Sequence, residues 1–208
     1  DLSQKTDLAK AQIQSFTWDK VATENINFIL SQPTMFNKNK YIKLGCISPF
    51  NSKCGIASYS KYLLNDIDEE VIFFTPFNEN GEKNYASNSN IIPSWHIGND
   101  IDDLSFLKKK ILSLGITSLV IQFNFGFYNF SKLSDLIINL KKYGINIFVI
   151  LHSTLDRSLD ESYSLSNLVL SFKQVDRLLV HTIHDLNRLK ILGLNVNVSL
   201  FPHGFLEF

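Results

Sequence analysis

From Tyr41 onward the chain alternates short apolar runs with longer amphipathic ones, the pattern of strands and helices in turn. The spacing predicts strands at 41–48 (YIKLGCIS), 70–75 (EVIFFT), 90–97 (NIIPSWHI), 118–125 (SLVIQFNF), 146–153 (NIFVILHS), 177–182 (RLLVHT) and 197–203 (NVSLFPH). Helices are predicted between most of them, at 55–66, 101–114, 131–143, about 160–174 and 183–192. Runs such as IFVIL are apolar on both faces, as expected where helices cover both sides of a parallel sheet. The fold class this predicts is α/β, a doubly wound parallel sheet. Gly115, Gly144 and Gly193 each follow a predicted helix, where a residue with positive φ ends the helix at low steric cost.

The first forty residues behave differently. Residues 15–30, SFTWDKVATENINFIL, place Trp18, Ala22, Ile26 and Ile29 along one helical face, with Thr17 as N-cap and Asp19 in the first turn. An amphipathic helix is predicted there, one that must dock its apolar face. The polar stretch SQPTMFNKNK (31–40) follows, with Pro33 and no periodicity, and a linker is predicted over 33–40.

Composition narrows the function. A chain of 208 residues, 45% hydrophobic, buries one generous core. Twenty Lys and Arg against twenty Asp and Glu give a net charge of zero, which argues against a nucleic-acid partner. Cys46 and Cys54 have no zinc-type spacing and suit a reducing, cytoplasmic compartment. No apolar run reaches the roughly 18–20 residues of a membrane helix, so no transmembrane segment is expected, and peripheral contact with an inner membrane is compatible with the chain.

In an open parallel sheet, ligands bind beyond the carboxyl ends of the strands. Three stretches qualify: PFNSKCG after the first strand, NFGFYN around the fourth and HSTLD after the fifth. Gly55 opens a predicted helix, where backbone approaches a ligand closely and free N–H groups attract phosphate. Alternatively, Gly55 only eases a tight strand-to-helix turn. The full G-x-G-x-x-G fingerprint is absent, which argues against a nicotinamide dehydrogenase.

GCISPFNSKCGIASYSKYLL resembles the amino-terminal signature of bacterial glycosyltransferases of family 4, a strand leading through a W/F-N-x-x-C-G-I-A-x-Y segment into a helix. IQFNFGFY and GINIFVILHST are similar to the family's later strands, DRLLVHTIHDLNRLKILGL to the elements closing its first domain, and FPHG to the junction with a second. The likeness runs from Tyr41 to Gly204. It implies the first Rossmann-like domain of a GT-B enzyme, 41–208, holding mainly the acceptor, while a second Rossmann-like domain, missing here, holds most of a nucleotide-sugar donor. SFTWDKVATENINFIL is similar to the carboxyl-terminal Trp-Asp/Glu-Lys-Val-Ala helix of such enzymes, which implies that residues 1–32 are the end of a preceding transferase module.

The resemblance further implies retention of configuration, no metal or other cofactor, and a glycan, lipid-linked or protein acceptor. It gives Cys54, Gly55 and Ile56 the loop facing the donor diphosphate, and His152 a place beside the transferred sugar. There His152 would hydrogen-bond the sugar or stabilise developing charge. A structural alternative is a ring that caps its strand end. Asn51, Lys53, Asn124 and Ser153 fall on the acceptor or cleft side, and His203 and Gly204 at the hinge.

Many relatives carry a His-Glu pair in the fourth-strand segment, where this chain has Phe123 and Asn124. Asparagine can hydrogen-bond a hydroxyl but cannot act as a base near neutral pH. A non-catalytic carbohydrate- or protein-binding module is therefore the alternative to a transferase, and a convergent flavodoxin-like nucleotide-binding domain is a further one. Cys54, at a helix start that lowers a thiol pKa, is a candidate nucleophile without an identifiable partner histidine. His96 follows a weak strand, and His181 and His184 flank a helix start, where capping or packing roles are expected.

Overall fold

The computed structural model describes Lys20, Thr23 and residues 42–50, 52–64, 67, 70–77, 90–98, 102–156 and 161–204. The docking predicted for the helix at 18–30, the linker and Asn51 lie outside the described residues, although Lys20 and Thr23 are themselves helical and exposed.

Seven strands form one all-parallel sheet: β1 (Leu44–Ile47), β2 (Val71–Pro76), β3 (Ile91–Trp95), β4 (Ser118–Phe123), β5 (Asn146–Leu151), β6 (Arg177–Val180) and β7 (Val198–Leu200). Their spatial order is β3-β2-β1-β4-β5-β6-β7. Helix α1 (Gly55–Leu64) follows β1, α2 (Ser105–Ser113) follows β3, α3 (Phe130–Lys142) follows β4, and α5 (Ile183–Ile191) follows β6. Between β5 and β6 run two 3-10 segments, Glu161–Tyr163 and Leu165–Leu168, which lead into the single turn of α4 (Val169–Phe172). The result is a Rossmann-like, doubly wound α/β fold. No described helix is long and apolar enough to cross a membrane.

Parallel crossovers are right-handed, so connections running opposite ways along the sheet cover opposite faces. The step from β1 to β2 puts α1 on one face, where Tyr59, Leu63 and Leu64 pack with Cys46, Val120, Phe148, Ile150, Leu179 and Phe201. The steps from β3 onward put α2 to α5 on the other, with Leu107, Ile111, Leu133, Ile137, Phe172 and Leu189 packed against Ile47, Ile121, Phe123, Val149 and Val180. Direction reverses between β1 and β4, where the crevice of such a sheet opens.

Pro93 is tolerated because β3 is an edge strand. The three glycines predicted to end helices do so at φ 66, 72 and 81 for Gly115, Gly144 and Gly193.

Two helix predictions are corrected by short polar side chains. The helix expected from residue 101 starts at Ser105, because Asp102 and Asp103 accept from the N–H groups two residues on, Leu104 and Ser105, each at 2.9 Å. The continuous helix expected at about 160–174 is broken into short turns. There Asp156 accepts from the Leu165 N–H at 3.1 Å and Ser164 from the Ser166 N–H at 3.3 Å, offering the backbone an alternative to helix.

Gly45 sits in central strand β1, where an added Cβ would lie 2.9 Å from Phe74 Cε2 and 3.1 Å from Leu119 Cδ1. Gly45→Ala is expected to destabilise the fold by about 1–3 kcal/mol, the usual cost of overpacking a tight core. Urea unfolding measures it, and an unchanged midpoint contradicts the packing described.

Candidate functional site

Because every strand is parallel, the loops after β1, β4, β5, β6 and β7 all emerge on one edge. The loop after β1 is pinned where it enters α1. Buried Ser48 at the end of β1 hydrogen-bonds buried Ser60 at 2.7 Å and donates to the Pro49 carbonyl at 2.8 Å. The first intrahelical bond of α1 runs from the Ser58 N–H to the Cys54 carbonyl at 3.1 Å. The earlier N–H groups of the turn have no intrahelical acceptor, and no acidic residue occupies that turn. An added Cβ on Gly55 would meet nothing within 4 Å among the described residues, and its φ is not positive. Neither packing nor backbone conformation requires glycine there.

Strand alternation decides which side chains face α1. In β4, Leu119, Ile121 and Phe123 face the α2–α5 side, so Val120 and Gln122 face α1. In β5 the α1-facing set is Phe148 and Ile150, and the next position of that parity is His152. In β6 Leu179 faces α1, and its parity continues to His181. Leu151 is paired with Val180, so the two histidines stand side by side one step beyond the paired ends.

His203, beyond β7, completes the group. The His181 and His203 rings stack with centroids 3.6 Å apart, and His152 lies 5.2 Å from His181 and 6.3 Å from His203. Buried Tyr59 of α1 touches all three, edge to face, at 4.8, 5.4 and 5.3 Å from His152, His181 and His203.

Second partners orient two of the rings. His152 Nε2 lies 2.7 Å from Gln122 Oε1, and His181 Nδ1 lies 2.8 Å from the Phe201 carbonyl oxygen. The Phe201 carbonyl only accepts, so His181 Nδ1 carries its proton and Nε2 holds a lone pair; with the amide oxygen of Gln122 facing it, His152 Nε2 donates likewise and Nδ1 holds a lone pair, while Gln122 Nε2 is buried with no partner among the described residues. Burial, followed by the neighbouring His181 and His203 rings, pushes the His152 pKa down to about 3. Burial also takes His181 down to about 4 against the opposing hydrogen bond to Phe201, and lowers His203. All three rings are neutral at pH 7.

A second network ties the β5 loop to α5. Thr154, buried, donates to Asp185 Oδ1 and accepts from Arg188 Nη1 at 2.6 Å. Thr182 caps α5, accepting from the Asp185 N–H at 3.1 Å and donating to Asp185 Oδ2 at 2.6 Å. Burial raises the Asp185 pKa, but hydrogen bonds from Thr154 and Thr182 and the charge of Arg188 outweigh it and hold the carboxyl below its ordinary value.

Of the residues singled out in the sequence, Cys54, Gly55, Ile56, His152 and His203 line one cleft of about 450 Å³, together with Ser58, Tyr59 and Tyr62. Lys53 is exposed beside it, and Ser153 and Gly204 directly follow His152 and His203. Phe123 is fully buried among Phe125, Phe130 and Phe172 on the opposite face of the sheet. Asn124 folds back to accept from the Gly126 N–H at 3.1 Å, closing a turn. His96 is exposed and pairs with Asp102 at 3.2 Å, and His184 is exposed.

Sequence reasoning missed Gln122, Thr154, Asp185 and Arg188, and assigned His181 a packing or capping role outside the site. The available signal was that two strands, FVIL and RLLV, each end in His followed by Ser or Thr. No protein-family model matches the chain, and a comparison with curated proteins finds no match. The class stands on fold and geometry: a Rossmann-like domain with a histidine-walled cleft at its switch-point edge.

Asp185→Ala removes the acceptor of the Thr154 and Thr182 hydroxyls together. The expected cost is about 1–3 kcal/mol, because the Thr154 hydroxyl is buried. Asp103→Ala, at an exposed carboxylate, is expected to cost less. Equal unfolding midpoints for the two variants would show that Asp185 does not hold the loop.

Proposed function

We propose that the cleft holds the diphosphate and sugar of a nucleotide-sugar, and that the chain supplies the acceptor-side half of a retaining glycosyltransferase resembling family 4. The observation that carries this reading is Gly55. It is the first residue of a ten-residue helix at the carboxyl end of β1, beside the switch point, and among the described residues nothing outside its own helix and chain neighbours lies within 4 Å of where a side chain would begin. A glycine that neither its φ nor its described neighbours require, facing a cleft beside helix N–H groups without intrahelical acceptors, suits close approach by an anion.

The chemistry follows from the ring states. In a front-face reaction the bond between the anomeric carbon and the leaving phosphate oxygen breaks, and the acceptor oxygen bonds that carbon on the same face. The departing phosphate oxygen takes the acceptor's proton. His152, neutral with its Nε2 proton given to Gln122, presents Nδ1 as an acceptor for a sugar hydroxyl. Hydrogen bonds to sugar hydroxyls that strengthen in the transition state contribute several kcal/mol in glycosidic chemistry. His152 is accordingly a positioning acceptor rather than a cation or a nucleophile.

In a polypeptide that joins this chain to a donor-binding domain, Gly55→Val is expected to raise KM for nucleotide-sugar at least about 10-fold with kcat little changed. His152→Ala is expected to lower kcat about 10²-fold. The 208-residue chain alone is expected to bind nucleoside diphosphates weakly and transfer no sugar. Steady-state kinetics over a panel of nucleotide-sugars, with saturation-transfer NMR on the chain alone, measures all three. Full turnover by His152→Ala would contradict its role, and binding without transfer in the longer polypeptide would favour a carbohydrate-binding module.

A further inference from the structure

The segments that follow β5, β6 and β7 bring three imidazoles together, and the hydrogen bonds of His152 and His181 engage one nitrogen of each. One nitrogen from each of His152, His181 and His203 lies within 4.8 Å of the others. His181 Nε2 is buried with no hydrogen-bond partner among the described residues. Leaving such an acceptor unmet costs about 1–3 kcal/mol, so an occupant from outside the chain is called for. A single hydroxyl or water can donate to one or two lone pairs. A metal ion takes three.

The outer partners match a metal site as well. Histidines that ligate metals almost always give their other ring N–H to a carbonyl or carboxylate, which fixes the tautomer and aims the lone pair. His181 gives its Nδ1 proton to the Phe201 carbonyl, and His152 gives its Nε2 proton to Gln122. Each ring thus turns its lone pair away from an anchored oxygen.

We propose that His152 Nδ1, His181 Nε2 and a ring nitrogen of His203 bind a divalent transition-metal ion, with Zn²⁺ the best fit. Imidazole suits Zn²⁺, Cu²⁺ and Ni²⁺, whereas a set of nitrogens without carboxylates does not suit Mg²⁺ or Ca²⁺. Zn–N bonds of about 2.0–2.1 Å bring tetrahedral ligand nitrogens to about 3.3–3.4 Å apart. The widest pair, at up to 4.8 Å, must close on the ion. His203, whose ring is stacked on His181 at 3.6 Å and 25°, must turn out of the stack as well as close, and it is the ligand free to do so, being exposed and beyond the last paired residue of β7, Leu200.

The fourth coordination position opens toward the cleft, which both His152 and His203 line. Three histidines with one open position are the arrangement of ions that bind a water or a substrate oxygen. Metal binding stands whether or not the cleft takes a nucleotide-sugar. Only where it does would the ion compete, because it claims the His152 Nδ1 lone pair assigned above to a sugar hydroxyl.

The test is calorimetric titration of the chelator-stripped 208-residue chain with Zn²⁺, and in parallel with Mg²⁺, together with the visible absorption of added Co²⁺. The expected result is one Zn²⁺ per chain at micromolar affinity or tighter, no Mg²⁺ binding, and the intense visible bands of tetrahedral Co²⁺. His203→Ala, at an exposed position that leaves the core intact, is expected to weaken Zn²⁺ at least about 10²-fold. Gln122→Leu, which removes only an orienting partner, is expected to weaken it about 10- to 100-fold. His96→Ala and His184→Ala are expected to bind as the parent does. Absence of Zn²⁺ binding at millimolar concentration, or affinity unchanged in His203→Ala with the fold verified by circular dichroism, would overturn the site.

Discussion

The parallel register of β4, β5 and β6 is the constraint on which the rest depends. Phe123 pairs with Leu151 and Leu151 with Val180, so these strands end nearly level. Side chains alternate with a strict period of two, so the register also fixes parity: the residue after Leu151 and the residue after Val180 both face α1. A slip of one residue in β6 would turn His181 toward the α2–α5 side and leave His152 without its neighbour. Apolar content enforces the register, since Ile147, Val149, Leu151, Leu178 and Val180 all have to enter the same buried layer.

That layer explains how a polar site survives at the rim of a dry sheet. Gln122 is fully buried; its oxygen is met by His152 and its backbone carbonyl by the Tyr128 hydroxyl at 3.1 Å, while its Nε2 has no partner among the described residues. Tyr59 supplies an apolar wall that all three histidine rings share, while the Ser48–Ser60 contact fixes the α1 terminus that carries Gly55 opposite them. On the far side, Thr154, Asp185 and Arg188 hold the β5 loop to α5, so His152 is braced from two directions. The cleft is therefore made by elements that the core already positions.

The sheet was legible in the sequence because its strands are apolar on both faces, a pattern that amphipathic helices do not share. What escaped was decided by side-chain hydrogen bonds or by pairing. Ser164, Asp156, Asp102 and Asp103 cut back two predicted helices through bonds that periodicity does not register. Gly55 and His152 could be found because each lies at a strand's carboxyl end, where the topology of such sheets directs attention. His181 could not be assigned from its own segment, since its partnership rests on a register set by another strand. Phe123 and Asn124 drew attention that belonged to Gln122, and with a period of two that single step separates the two faces of the sheet.

The directest measurement is two-bond proton–nitrogen NMR of the imidazole rings in the 208-residue chain at neutral pH, which reports the protonated nitrogen of each histidine. The geometry requires His152 as the Nε2–H tautomer and His181 as the Nδ1–H tautomer, both uncharged, with Gln122→Leu disturbing the first and leaving the second. Cationic rings at pH 7, or the same tautomer at both positions, would show that their lone pairs do not converge on the cleft and would remove the basis for both the sugar and the metal sites.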